Sequence, residues 1–304
     1  MNSIRQALRL RPRRSLAWAG VAVLVALATA MPVRAQDAAA LKARHEALRG
    51  ALANNAFTRP LVLESSERDD SLQGDIYARI DQPMAVVGAA LTGVEHWCEI
   101  LMLHLNVKQC RAGEAKAGDA LQLVVGQKHD QPLEQAYRFG FAYKVLASQP
   151  DYLRVQLTAD EGPLGTSRYR IVLELAALDE RRSFLHLSYS YGYGLIARVA
   201  MQTYLATIGR DKVGFSVIGR KADGQPVHIG STRGVVERNT MRYYVAVESY
   251  LGSLSLPPAQ RFEKRLADWH AGVERYPLQL HDLELAEYLA LKRAQLRRQQ
   301  APGG

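Results

Sequence analysis

The chain reads as an α+β protein with an antiparallel sheet at its centre and helices at both ends. Period-two alternation recurs between residues 74 and 191, turn signals separate the alternating runs, and the apolar spacing turns helical after residue 194. Strands joined by short connections and then followed by helices specify segregated α+β layers.

Residues 1 to 35 are set apart from this pattern. A basic stretch (Arg5, Arg9, Arg11, Arg13, Arg14) precedes an apolar run from Leu16 to Met31 and then Val33-Arg34-Ala35, the layout of a secretory signal cleaved after Ala35. A permanent anchor is the rival reading. The run of about 16 residues is shorter than the roughly 20 a membrane-crossing helix needs, and small residues at −3 and −1 suit a peptidase. Arg13-Arg14-Ser15-Leu16 faintly resembles a twin-arginine signal. The expected product begins at Gln36 and is periplasmic.

The leader also dominates the charge. It holds six Arg and no acidic residue, so the formal charge of +9 falls to +3 without it. Lys292, Arg293, Arg297 and Arg298 supply four more positive charges, leaving the body near −1. A nucleic-acid binder carries its basic residues on a folded face, interleaved with stacking aromatics. Residues 36 to 291 show no such cluster, so nucleic acid is not an expected partner.

The chain has two cysteines, Cys98 and Cys110. In an exported protein an even pair points to a disulfide, which would close a loop of about 13 residues and stabilise the fold by roughly 3 kcal/mol. A nucleophilic Cys98 is the sharper alternative, but Trp97 and His96 beside it lack a third catalytic member. Titration of the denatured, unreduced protein decides between them, two free thiols excluding the disulfide.

Along the mature chain, Asp37 to Asn54 reads as a helix with Asp37 as N-cap and Asn54-Asn55 as its stop. Glu64 to Asp70 is a polar separator. Ile76, Ala78 and Ile80 then alternate with Asp75, Tyr77 and Arg79 as a strand with one buried face. Pro83 opens a helix over Met84 to Leu91, since proline suits a first turn. Trp97 to Leu105 forms a second apolar piece.

Three strand faces follow: Tyr137, Phe139, Phe141, Tyr143 and Val145; Leu153, Val155 and Leu157; Tyr169, Ile171, Leu173 and Leu175. A last strand, Ser183 to Tyr191, places Leu185, Leu187, Tyr189 and Tyr191 on one side. Gly192 and Gly194 lead into an apolar helix, Leu195 to Ile208. A hairpin over residues 213 to 230 with Asp223-Gly224 at its tip precedes another helix, Gly234 to Leu251. Past Pro257-Pro258 two helices are expected, Ala259 to Gly272 and Leu278 to Arg298. The second, with Leu278, Leu285, Leu289 and Leu296 near one stripe and a basic end, either docks on the domain or lies on an anionic membrane surface.

The order of strand, helices, antiparallel strands and C-terminal helices resembles the START-like or SRPBCC superfamily, in which a curved sheet grips a long helix. The resemblance covers residues 72 to 254 and is carried by Gly74-Asp75-Ile76-Tyr77-Ala78-Arg79-Ile80-Asp81-Gln82-Pro83 and by the strands from Tyr137 to Tyr191. It implies a cavity between sheet and helix that binds an apolar molecule such as a lipid, with cyclisation or hydrolysis in some members. Phe139, Phe141, Tyr143, Leu187, Tyr189 and Tyr191 would line the sheet side, with Met201 and Tyr204 opposing them from the helix. The same aromatics could equally fill an ordinary core, as in a scaffold or assembly factor.

Gly192-Tyr193-Gly194-Leu195-Ile196-Ala197 matches GxGxxA after a strand, with Val213 to Gly219 as a second strand and Arg220 facing a 2′-phosphate, a dinucleotide-enzyme reading that lacks further βα units. His104, His129, His186 and His228 are scattered, and His186 shares a face with Ser188 and Ser190, the pattern of a solvated surface. Glu99 with His104 is the best acid/base pair on offer. No catalytic triad, metal-ligand spacing or cofactor motif is expected.

Overall fold

A computed structural model of the chain describes residues 33–115, 118–207 and 209–301. In chain order these form α1 (Val33–Ala53), β1 (Leu61–Arg68), β2 (Ser71–Ile80), α2 (Met84–Leu91), α3 (Val94–Leu101), β3 (Val107–Ala115), β4 (Gly118–Val125) and β5 (Tyr137–Gln149). There follow β6 (Tyr152–Glu161), β7 (Thr166–Ala177), β8 (Ser183–Tyr193), α4 (Leu195–Ala206), β9 (Val217–Arg220), β10 (Pro226–His228) and α5 (Ser231–Gly252). The C-terminal region adds α6 (Pro258–Glu274), α7 (Pro277–Leu280) and α8 (Leu285–Gln300). Residues 1 to 32 of the expected leader lie outside the described residues.

β1 to β8 form one antiparallel sheet in the order β1-β2-β8-β7-β6-β5-β4-β3. β2 and β3 are successive strands placed far apart, and α2 and α3 carry the chain between them. With α5 packed across the concave side, this is the START-like helix-grip arrangement. Glu64 to Asp70 proves to be the end of β1 and its turn into β2, so the sheet begins at Leu61 and not at Leu72.

Which helix is gripped follows from residue size. Leu72, Gly74, Ile76, Ala78 and Ile80 share the inner face of β2, and a Cβ at Gly74 would stand 2.2 Å from Thr240 Oγ1 of α5. Only glycine allows the helix to come that close. α5 is buried on nearly all sides, between the sheet and α3 and α6, with Val236, Met241, Tyr244, Val245 and Val247 inside. The helix expected opposite the sheet, Leu195 to Ile208, is instead α4, whose Leu195 is 77% and Ile196 72% exposed. The expectation followed apolar content, and here the apolar helix lies outside while the more polar one is buried.

Strand parity matches the burial, with its limits at strand ends. Leu153, Val155, Leu157, Ile171, Leu173, Leu175, Leu185 and Leu187 are all buried, as are Phe141 and Tyr143. Tyr137 at the start of β5 and Val145 beside a bulge are exposed. α1 begins four residues before Asp37, whose carboxylate lies 3.8 Å from Arg154 and does not cap the helix. Its Ala38, Leu41, Leu48 and Leu52 cover the outer face of the sheet at Ala147, Tyr152, Ala176 and Phe184.

That cover corrects the reading of His186. It is half-buried, with Nε2 2.9 Å from Asp75 Oδ1 and Nδ1 2.8 Å from Glu174 Oε2, its ring stacked on Tyr77 at 4.4 Å. The three strands β2, β8 and β7 run side by side, so register alone brings the three groups together. Burial opposes the charge, but hydrogen bonds to both carboxylates prevail and hold the imidazolium up to about 9. Because the folded value is raised, the stabilisation is complete below the unfolded value near 6.5 and is lost as pH climbs through about 9. Urea titrations should therefore show stability falling between pH 6 and pH 9.5 by on the order of 3 kcal/mol, with His186→Gln removing that slope.

The C-terminal region packs onto α5 through α6, where a Cβ at Gly272 would stand 2.5 Å from Val245 Cγ1. The expected single helix from Leu278 breaks into α7 and α8, and the break carries Asp282 inward to Arg242 at 2.6 Å. Only part of the leucine stripe docks: Leu278 is 58% and Leu285 43% exposed, whereas Leu289 packs against the core. The fully buried positions of α8 are Tyr288, Lys292 and Gln295. Tyr288 Oη donates to Leu103 O, and Lys292 Nζ donates to the carbonyls of His104 and Val107 and to Gln295 Oε1.

Candidate functional site: a pocket between sheet and helices

A pocket of about 330 Å³, open to solvent, lies where the N-terminal half of α5 faces β7, β8 and α4. Its volume falls at the lower end of the range for ligand sites, about 300 to 1,000 Å³. One wall is Tyr169, Tyr189 and Tyr191 from the sheet; another is Ala197, Ala200, Met201 and Tyr204 from α4. α5 contributes Val235, Arg238, Asn239 and Arg242, a stripe at i, i+3, i+4 and i+7. Asn106 and Lys128 close the far side. A larger groove of about 540 Å³ at the other end of α5 is a surface feature crossed by the Arg59–Glu248 ion pair.

Four of the residues expected to bind ligand meet here: Tyr189, Tyr191, Met201 and Tyr204. Although α4 is not the gripped helix, it covers the pocket from the side, so Met201 and Tyr204 do oppose the two tyrosines. Phe139 and Phe141 stand behind this wall, 5.9 and 6.2 Å from the Tyr169 ring. Tyr143 lies elsewhere and donates its hydroxyl to Thr92 O at 2.7 Å. Leu187 is fully buried in the packed core, in register with Ile76 and Leu173.

The sequence reading missed the polar side of the pocket. Arg238 and Arg242 are both only 2% exposed, and their one-turn spacing on α5 was the available signal. Asp282 accepts from Arg242 at 2.6 Å and Lys128 at 2.5 Å, and Lys212 lies 3.7 Å away. Burial, with Arg242 nearby, pushes the Lys128 ammonium down to about 8 despite Asp282. The three aromatic hydroxyls are held above their ordinary range by burial, so they stay protonated as donors at neutral pH.

The acid/base pair considered from sequence is not assembled. Glu99 Oε2 accepts from Arg265 at 2.7 Å, whereas His104 is buried, stacks on Tyr243 at 5.0 Å and hydrogen-bonds Asn106 N through Nδ1. Burial, with Arg242 and three lysines, drives His104 well below its ordinary value and keeps it neutral. The dinucleotide reading is overturned by the topology. Gly192 ends a strand of an antiparallel sheet, β9 pairs only with β10 in a separate hairpin, and Arg220 donates to Gly224 O at 3.0 Å. A Rossmann site needs parallel βαβ units.

No family model and no curated protein matches the chain. Among solved structures, norcoclaurine synthase from Thalictrum flavum is similar at 9% identity and a TM-score of 0.32, over 49% of this chain and 82% of that one. A START superfamily protein from Mycobacterium smegmatis is similar at 12% identity and a TM-score of 0.31, over 46% of this chain and 92% of its own. The Zhui aromatase/cyclase from Streptomyces sp. R1128 shares 12% identity at a TM-score of 0.30, over 77% and 99% of the two chains. These superpositions are loose, and the helix-grip assignment stands on the strand order and the seat of α5.

Proposed function

We propose that the protein is an exported, periplasmic carrier or sensor that holds an apolar molecule, such as a lipid, in the pocket between β7, β8, α4 and α5. The observation that carries this reading is the pocket itself, left open in a sheet whose neighbouring inner positions are closely packed. The exposed apolar Leu164 supports it, since this residue is part of the pocket lining. Export is supported by the leader and by a disulfide of the kind oxidising compartments maintain.

Native mass spectrometry of the protein purified from its own host tests the reading. A copurifying lipid is expected, on a chain beginning at Gln36. Tyr189→Trp adds bulk at the pocket wall and should reduce the retained ligand while leaving the melting temperature nearly unchanged. Ala142→Ser, on the opposite face of β5, should alter neither. Unchanged ligand content with a loss of about 1 to 3 kcal/mol would mean that Tyr189 sits in a filled core, and the carrier reading would fall.

A further inference from the structure

We propose that the ligand of this pocket is a single-chain amphiphile with an anionic head, a carboxylate or a phosphate monoester, and that Arg238, Arg242 and Lys128 hold the head. This rests on the carrier reading and adds the ligand's chemical class. The pocket has two unlike ends. Tyr169, Tyr189, Tyr191, Ala197 and Met201 form an apolar wall, while the α5 side presents two buried guanidinium groups, with Lys128 opposite.

The cations there exceed the anions that accompany them. Lys128, Lys212 and Arg242 share the single carboxylate of Asp282. Arg238 donates to the carbonyl of Val213 at 3.2 Å and interacts with the Tyr204 hydroxyl; among the described residues no carboxylate forms an ion pair with it, Asp282 acting only at longer range. The adjacent Glu237 is taken up by Ser65, Phe215 and Ser216. Arg242 Nε is buried and has no hydrogen-bond partner. A buried cation with an unused donor is costly until an anion or a hydrogen-bond acceptor meets it. An anionic head at the Arg238–Arg242 side would balance the charge and leave its chain against the tyrosines. The volume of about 330 Å³, at the lower end for ligand sites, favours a head and part of one chain over a two-chain lipid.

The test uses the delipidated mature protein and four probes at pH 7: dodecyl phosphate, laurate, dodecanol and inorganic phosphate, each measured by displacement of a bound fluorescent fatty acid. Both anionic amphiphiles should bind at least about tenfold more tightly than dodecanol, the worth of one hydrogen bond to a charged group. Arg238→Gln should bring that preference below about threefold, and Lys128→Gln, at a partly exposed position, should reduce it as well. Equal binding of dodecanol and the anionic amphiphiles by the native protein would overturn the head-group assignment and leave the carrier standing. Inorganic phosphate competing as well as dodecyl phosphate would show a site for a free anion, overturning the amphiphile. If no amphiphile binds, the carrier reading fails and this inference with it.

Discussion

Glu237→Ala is expected to lower stability by about 4 kcal/mol, because it leaves several buried donors without an acceptor at once. Glu237 is fully buried on α5, and its Oε1 accepts from the hydroxyls of Ser65 and Ser216, both at 2.6 Å. Its Oε2 accepts from the backbone N–H groups of Phe215 at 2.6 Å and Ser216 at 2.9 Å. One carboxylate thus joins β1, the segment leading into β9 and the gripped helix. Backbone N–H groups turned inward cannot recover water without opening the segment. Glu237→Gln separates charge from hydrogen bonding: its amide oxygen can accept from the two N–H groups while its NH₂ donates to the two hydroxyls, so it should cost only about 1 kcal/mol. Urea unfolding of the three proteins reads the difference. A loss below about 1 kcal/mol in the alanine variant would mean that the segment at residues 213–216 is not held by this carboxylate.

Removing the Cys98–Cys110 disulfide should have the next largest effect. The bond joins α3 to β3 across a sequence separation of 12, with both sulfur-bearing side chains in the core. β3 is an edge strand of the sheet, and its Cys110 N–H donates to Gln299 Oε1 of α8, so the cross-link anchors a strand on which the C-terminal helix also rests. Closing a loop of this length restricts the unfolded chain, and the Cys98→Ala/Cys110→Ala double variant should lose about 3 kcal/mol. For a domain of this size that corresponds to a melting temperature lower by roughly 6 to 12 °C. A double variant that melts with the native protein would show that packing around α3 and β3 is sufficient without the bond.

Much of the architecture was legible in local pattern. Met84 to Leu91 was delimited by Pro83 and its apolar run, and the hairpin by Asp223-Gly224, where Gly224 adopts a φ of +83°. Strands whose inner face is uniformly apolar, such as β6, β7 and β8, announced both their span and their orientation. β1, β3 and β4 were not recovered. The exposed Glu64, Glu67 and Arg68 blur the alternation of β1, and β3 carries buried Lys108 and Gln109 where an apolar period was sought. Lys108 is tolerated there because its ammonium donates to the carbonyls of Leu105 and His129, the second a partner that no local window around it contains.

The candidate site divides along the same line. Tyr189 and Tyr191 were accessible from parity, because a strand buries alternate residues whatever surrounds it. Arg238 and Arg242 were not, since a charged side chain on a helix is ordinarily solvated, and their inward partners come from remote segments, Asp282 from the break between α7 and α8 for Arg242 and the Val213 carbonyl for Arg238. By itself the sequence determined the order of the elements other than β1, β3, β4 and the α7–α8 break, the faces of the central strands and the cysteine pair. Those rest on periodicity, turn chemistry and the number of thiols. The tertiary structure decided that α5 is gripped and α4 lies outside, and that a pocket with a cationic end separates them. Those outcomes depend on small residues at Gly74 and Ala78 admitting one helix, and on acceptors remote in the chain satisfying its buried polar groups, neither of which hydrophobicity records.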